Sequence, residues 1–371
     1  MTHEEYRKAI DIVIYLAGCA VNGSVPDKKR IDGTDLEILY KAADSHLLTA
    51  VVAYSLKKAG ITDHAFEQAK AKSIRKVTTM DTYKKMLFKR LDQENIWYMP
   101  LKGTIIKDLY PGIGIRQMAD FDILFDRNHA ERLRDIMLEL GFTCEHFDQS
   151  NHDVYYRQPV TNFEMHRLLF DDISDMYDYY LDVKSRLIKD EGDNCGYHFS
   201  SSDLYIYLTA HEYKHYSVSG TGLRSVLDTY VIWQKLGDQF DQSYIRTECK
   251  KLGISEFEQK NKSLALHLFG DGRLTEDDKL MLEYIIDSGT YGTISNSLKA
   301  NVGKFGTGRS AKMKFLFRKI FLPMRYVKML HPTVYRHKIL LPFLPAYRVI
   351  RAVTVKRKET AGKLKIIKRL D

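Results

Sequence analysis

Two aspartates one residue apart, Asp120 and Asp122, stand in a run that alternates polar and apolar residues. In an extended strand successive side chains point to opposite faces, so Asp120 and Asp122 project together while Phe121, Ile123 and Phe125 face the other way. Carboxylates held side by side repel unless a cation lies between them, and all-oxygen ligand sets suit Mg2+ or Mn2+, commonly with phosphate oxygens completing the shell. The pair therefore reads as candidate metal ligands and candidate catalytic residues. Alone, Asp-x-Asp also fits the solvated edge of an ordinary strand. A third carboxylate would complete a two-metal centre, and Glu164 is the best placed. In residues 162–166 alternation puts Phe163 and Met165 on the core face and Glu164 with His166 on the opposite one. Asp171 and Asp172 are the fallback.

Upstream, Lys102-Gly103-Thr104 follows a short apolar run and precedes a short helical stretch. A glycine turn between strand and helix presents backbone N–H groups to an anion, and Lys102 and Arg116 add fixed positive charge. Lys102, Gly103, Thr104 and Arg116 are thus the candidate nucleotide-binding residues. The segment is not a P-loop, which needs GxxxxGK[ST], and Gly112-Ile113-Gly114 lacks the third glycine and the preceding strand of a dinucleotide fingerprint.

A competing motif is His211-Glu212-Tyr213-Lys214-His215, which matches HExxH, the zinc-hydrolase helix with two ligands one turn apart and a glutamate base. No Gly-x-x-His continuation follows His215, and no third ligand stands at a familiar spacing. The helical period places His211 and His215 on the stripe of Leu204 and Leu208, so both can line a cleft. With His166 they are candidate acceptor contacts.

The elements that must position these residues are readable from periodicity. Residues 1–93 read as helices, with Leu36, Leu39 and Tyr40, then Tyr83, Leu87 and Leu91, at three- and four-residue spacing. Residues 96–101 and 120–125 read as strands, with loop residues 110–114 between them. Asp126 can cap a helix whose stripe is Ala130, Leu133, Ile136, Met137 and Leu140, stopped by Gly141. Strands follow near 142–145, 154–156 and 162–169, and helical periods return from Ser201 onward. The expected architecture is α+β: a helical region at 1–95, a small mixed-sheet core at 96–170, a helical region at 171–300 and a basic segment at 301–371.

Charge is concentrated in that last segment. Residues 301–371 hold 19 Lys/Arg against Glu359 and Asp371, a local +17, and the chain's net +9 leaves the first 300 residues at −8. Interleaved aromatics such as Phe315, Phe317, Tyr326, Phe343 and Tyr347 fit nucleic acid, an anionic membrane surface, or an acidic face of the protein itself. Lys312, Lys314, Arg318, Lys319, Arg325 and Lys328 recur among apolar residues in a partly amphipathic pattern, while Leu340-Leu341-Pro342-Phe343-Leu344-Pro345 reads as a strap packed on the body. Four scattered cysteines suggest neither a disulfide framework nor a zinc site, and Asp11 interrupts the apolar run at 10–21. A cytoplasmic, at most membrane-peripheral, protein is expected, because no apolar stretch is long enough to cross a bilayer.

Leu101-Lys102-Gly103, the Tyr110-Pro111 step, Arg116, the Asp120 to Leu124 run, Gly141-Phe142 and Phe163-Glu164-Met165-His166 together resemble the uncharacterised nucleotidyltransferase family of the polymerase-β-like superfamily. The resemblance is strongest over 96–170 and extends to the Leu223 to Asp228 run. Thr104 stands where that pattern usually has Ser, and 15 residues rather than about ten separate Thr104 from Asp120. The resemblance implies an NTP donor, Mg2+ or Mn2+, and transfer of a nucleoside monophosphate to an acceptor hydroxyl it does not identify. The alternative class is a non-catalytic binder that uses the basic segment on nucleic acid or membrane.

Overall fold

The computed structural model describes residues 2–192, 194–290 and 294–369. Helix α1 (His3–Asn22) starts on a reciprocal cap: Thr2 Oγ1 accepts the Glu5 N–H and the Glu5 carboxylate accepts the Thr2 N–H. Helices α2 (Leu36–Ser45), α3 (Thr49–Lys58) and the 30-residue α4 (His64–Gln93) follow. The chain then changes period. Strand β1 (Tyr98–Pro100), the single turn α5 (Gly103–Ile106), β2 (Phe121–Phe125), α6 (Ala130–Glu139), β3 (Thr143–His146), β4 (His152–Arg157) and β5 (Thr161–His166) come next. The five strands form one sheet in the order β1-β2-β5-β4-β3, with β2 and β5 parallel and the other neighbours antiparallel.

A short α7 (Tyr177–Tyr180) and the ribbon β6 (Ile188–Lys189) with β7 (Tyr197–His198) lead into α8 (Ser201–Tyr216), α9 (Leu223–Leu236), α10 (Gln242–Lys251), α11 (Ser255–Phe269) and α12 (Glu276–Ser288). The fold is α+β with a mixed sheet, as the periodicities indicate.

Two cores explain where the candidate residues lie. One sheet face carries Phe121, Ile123, Phe125, Phe163 and Met165, which are buried against Val77, Met80, Leu87 and Leu91 of α4 and Leu133, Ile136 and Met137 of α6. Full burial of such side chains stabilises by roughly 1.5–3 kcal/mol each. The other face turns Leu124, with Met99 and Leu101, into a larger core built from α1–α3 together with α8, α9, α11 and α12. The helices before and after the sheet thus share one core. Asp122 lies two residues from Leu124 on the same strand, so strand alternation faces it toward this helical body.

Past α12, α13 (Ile294–Gly303), α14 (Gly308–Ile320), α15 (Met324–Leu330), α16 (Pro332–Arg336), α17 (Leu344–Val353) and α18 (Arg357–Arg369) carry the basic segment. They hold a small core of their own around Leu298, Val302, Ala311, Phe315 and Ile367. The expected packed strap is corrected: residues 338–343 form a 3-10 turn whose Leu340 and Phe343 are exposed, and Leu344, opening α17, is the one buried apolar residue there. The side chains of Arg325 and Lys328 lie outside the described residues. Among the described residues no helix is long and apolar enough to cross a membrane.

Candidate active site

The glycine turn is tied to the carboxylate strand by backbone. Leu101 N–H donates to the Asp122 carbonyl (2.9 Å). Thr104 Oγ1 accepts the Asp122 N–H (3.1 Å) and donates to the Asp122 carbonyl (3.3 Å). The Thr104 hydroxyl, read from sequence as a phosphate contact, is therefore occupied in positioning Asp122. Lys102 adopts φ 47°, ψ −125°, rare for a residue with a side chain and costing on the order of 1–3 kcal/mol. That backbone aims its Nζ at Asp122 Oδ1, 2.7 Å away. A Cβ on Gly103 would sit 2.6 Å from Arg116 Nη1, so a side chain there would press on the end of the Arg116 guanidinium.

Asp122 and Glu164 are Cα register partners across the parallel β2–β5 pair. Asp122 is 4% exposed. Burial works against its charge, but Lys102 and the His166 ring, whose Nε2 is 2.9 Å from Asp122 Oδ1, hold the carboxyl far below the usual carboxylate range. Among the described residues no lysine or arginine lies within 4.0 Å of Asp120 or Glu164, and Glu164 Oε2 lies 3.7 Å from His166 Nε2. Burial, then the charge of Asp122, pushes Asp120 up, and burial with Asp120 and Asp122 pushes Glu164 up to about 7. Asp120, Asp122 and Glu164 line one cleft with Lys102, an all-oxygen set of the kind Mg2+ or Mn2+ accepts, while among the described residues the atoms close enough together to share one ion are those of His152, Glu164 and His166.

His166 is 2% exposed and supports Asp122 rather than forming the cleft wall. Sequence reading passed over His152. The β4–β5 register pairs it with His166, and its Nε2 lies 3.7 Å from Glu164 Oε2. A strand read from 152 rather than 154 would have placed it by the same alternation. Of the fallback acids, Asp171 lies 3.7 Å from Lys214 Nζ, and neither it nor Asp172 lines the cleft.

The long connection between Thr104 and Asp120 is anchored at several points. Ser73 of α4 donates to the Gly114 carbonyl (2.7 Å), and Gln117 Oε1 accepts from Thr49 Oγ1 and the Ala50 N–H at the start of α3. Arg116 donates through Nε and Nη2 to the two Asp228 carboxylate oxygens of α9 (2.8 and 2.7 Å), and Tyr110 donates its hydroxyl to the same carboxylate. Burial pushes the Arg116 pKa down, and Asp228 drives it back above its ordinary value. The extra residues thus join sheet to helices, and the Arg116 charge expected over phosphates is matched by Asp228.

One turn earlier in α9 stands Arg224. It donates from Nη1 to the Gln117 carbonyl (3.2 Å), and among the described residues no carboxylate lies within 4.0 Å of it. Burial, then the nearby Arg116 charge, pushes its guanidinium below the ordinary value, as expected of a cation short of counter-charge. It lines a cleft of about 400 Å³ together with Lys102, Asp120, Asp122, Glu164 and His211. That volume lies in the range of small-molecule sites. Arg224 belongs to the Leu223 to Asp228 run noted in the sequence, where nothing short of the packing of α9 could single it out.

The HExxH helix also reaches the cleft through α8. His211 Nε2 and His215 Nε2 are 3.4 Å apart, and both line the cleft. Burial first, then neighbouring positive charge, pushes His211 well below its ordinary pKa and His215 down to about 4, so both rings are neutral at pH 7. Glu212 turns aside. It accepts from Asn261 Nδ2 (3.0 Å) and Thr229 Oγ1 (3.4 Å), and burial pushes it up to about 8. Among the described residues, the His, Cys, Asp and Glu atoms that gather for one ion are those of His152, Glu164 and His166; His211 and His215 have no third ligand. The zinc-hydrolase arrangement is therefore not assembled.

Comparison with known families matches residues 32–270 to the family described as uncharacterised nucleotidyltransferase. No curated protein and no solved structure matches the chain. The matched region covers nearly two thirds of the sequence and contains every cleft residue named above. By that match, this chain belongs to the uncharacterised nucleotidyltransferase family.

Proposed function

We propose that the protein transfers a nucleoside monophosphate from an NTP to an acceptor hydroxyl in this cleft, with Asp120, Asp122 and Glu164 as its metal-binding and catalytic residues. The observation that carries the reading is the facing of three carboxylates, two of them pushed up in pKa, by Lys102 and the unmatched Arg224. Bound Mg2+ or Mn2+ would supply positive charge to the phosphate oxygens.

The chain's own groups do the rest. Lys102 and Arg224 neutralise non-bridging phosphate oxygens, since phosphoryl-type transfer depends mainly on positioning and electrostatics. Gly103 keeps the wall beside them free of a side chain. Thr104 and His166 fix Asp122, one through its backbone and one through its carboxylate. Glu164 takes the proton of the acceptor hydroxyl as its oxygen attacks the α-phosphorus and the bond to the leaving pyrophosphate breaks. His211 and His215, neutral and further along the cleft, offer hydrogen bonds to the acceptor.

The test is incubation of the purified protein with each NTP labelled at the α-phosphate, Mg2+ or Mn2+, and a cell extract. A labelled acceptor that Asp120→Asn fails to produce supports the reading. Equal labelling by protein and variant overturns it.

A further inference from the structure

The basic segment presents its apolar residues outward. Ile339 is 81% exposed, Val355 78% and Phe343 68%, and Met313, Phe317, Ile350 and Val353 are each more than half exposed. Isolated exposed apolar residues are ordinary on a soluble protein, but a concentration of them in one segment marks an interaction surface. In α17, Tyr347, Ile350 and Val353 recur every third residue on an exposed stripe, with Arg348 and Arg351 beside them. Helix α17 is joined to the end of α14 by Arg348, which donates through Nε and Nη2 to the Lys319 carbonyl (3.1 and 2.9 Å). Phe317 and Phe321 stack at that end with ring centroids 4.5 Å apart. Helices α14 and α17 thereby lie next to one another, each carrying exposed apolar side chains.

We propose that residues 313–355 form a docking surface for an anionic lipid bilayer. Charge complementarity selects the occupant: 19 Lys/Arg against two acids over 301–371 match a negatively charged surface. The aliphatic character selects lipid over nucleic acid. Single-stranded nucleic acid is held by aromatic stacking along a basic groove, and it gives no use to exposed Ile339, Ile350, Val353 and Val355, whereas the bilayer interface buries them. Basic side chains then lie at the headgroups with their stems along the apolar surface. The surface lies outside the residues matched to the nucleotidyltransferase family, so it is independent of the catalytic reading.

The test is flotation of the full chain with vesicles of phosphatidylcholine alone and of phosphatidylcholine with about one third phosphatidylserine, at about 0.15 M salt. Floating with the anionic vesicles only is expected. A variant carrying Ile339→Ser, Phe343→Ser, Ile350→Ser, Val353→Ser and Val355→Ser keeps every charge and changes only exposed side chains, so it should stay folded by circular dichroism and bind at least tenfold more weakly. Failure of the parent to float overturns the proposal. So does a folded variant that floats as well as the parent, or vesicle binding abolished by stoichiometric single-stranded RNA, the result expected of a nucleic-acid site.

Discussion

Asp122 on β2 and Glu164 on β5 stand opposite one another in a parallel strand pair, and one has its charge matched by Lys102 while the other does not. Their environments drive their pKa values apart, the arrangement by which neighbouring carboxylates take different tasks. The unmatched acids are a standing cost to the fold, which suggests that function retains them.

Asp120 and Asp122 should therefore separate stability from activity. Asp120→Asn removes a repelled charge, so its melting temperature is expected to equal or exceed that of the parent while transfer falls at least about 100-fold. Asp122→Asn leaves the buried Lys102 ammonium without its partner and is expected to cost about 3 kcal/mol as well as activity. Thermal denaturation of both variants beside the transfer assay checks the contrast.

The two arginines should separate in the same way. Arg116→Ala strands the buried Asp228 carboxylate and is expected to destabilise by about 3–5 kcal/mol. Arg224→Ala breaks one bond to a carbonyl, so unfolding should shift by only about 1 kcal/mol while divalent-dependent NTP affinity drops tenfold or more. Denaturant unfolding and titration calorimetry read the two effects separately.

Thr104 tests the turn. Thr104→Val keeps the shape and loses both bonds to the Asp122 backbone, with an expected cost of about 1–3 kcal/mol, and Thr104→Ser should recover most of it. Recovery by Ser without any change in NTP affinity is the signature of a positioning hydroxyl.

His46 gives a pH dependence away from the cleft. It is fully buried, its Nδ1 accepts the Leu223 N–H at the start of α9, and its Nε2 meets the Tyr6 hydroxyl (3.1 Å). Burial pushes its pKa down to about 4 from an unfolded value near 6.5, so the unfolded chain binds the proton first. Its contribution is present above pH 6.5 and is lost as pH falls toward 4, amounting to about 3 kcal/mol. The stability difference between the parent and His46→Gln should shrink across that window.

Strand alternation makes Asp122, Glu164 and His166 legible in the sequence, because one period decides the face of every side chain on a strand, whereas Asp120 stands just before β2, which starts at Phe121 rather than at 120. The helices of 1–93 and those from Ser201 onward are legible from their stripes in the same way. Arg116 is readable as a residue near the cleft, but its partner is not: the Arg116–Asp228 pair spans 112 residues, and no local pattern carries such a contact. Thr104 is readable as a hydroxyl at the turn, but only the β1–β2 pairing reveals that the strand backbone engages it. The exposed strap at 340–345 misleads because apolar residues with prolines read alike whether they cover a core or await a partner.

The most direct measurement compares label position. Protein is incubated with extract, Mg2+ or Mn2+, and NTP labelled either at the α- or at the γ-phosphate, with Asp120→Asn as the control. Nucleotidyl transfer is expected to put the α label in the acceptor and the γ label in pyrophosphate, with both signals absent from the control. A γ label found in the acceptor, or an α label transferred equally by Asp120→Asn, would contradict it.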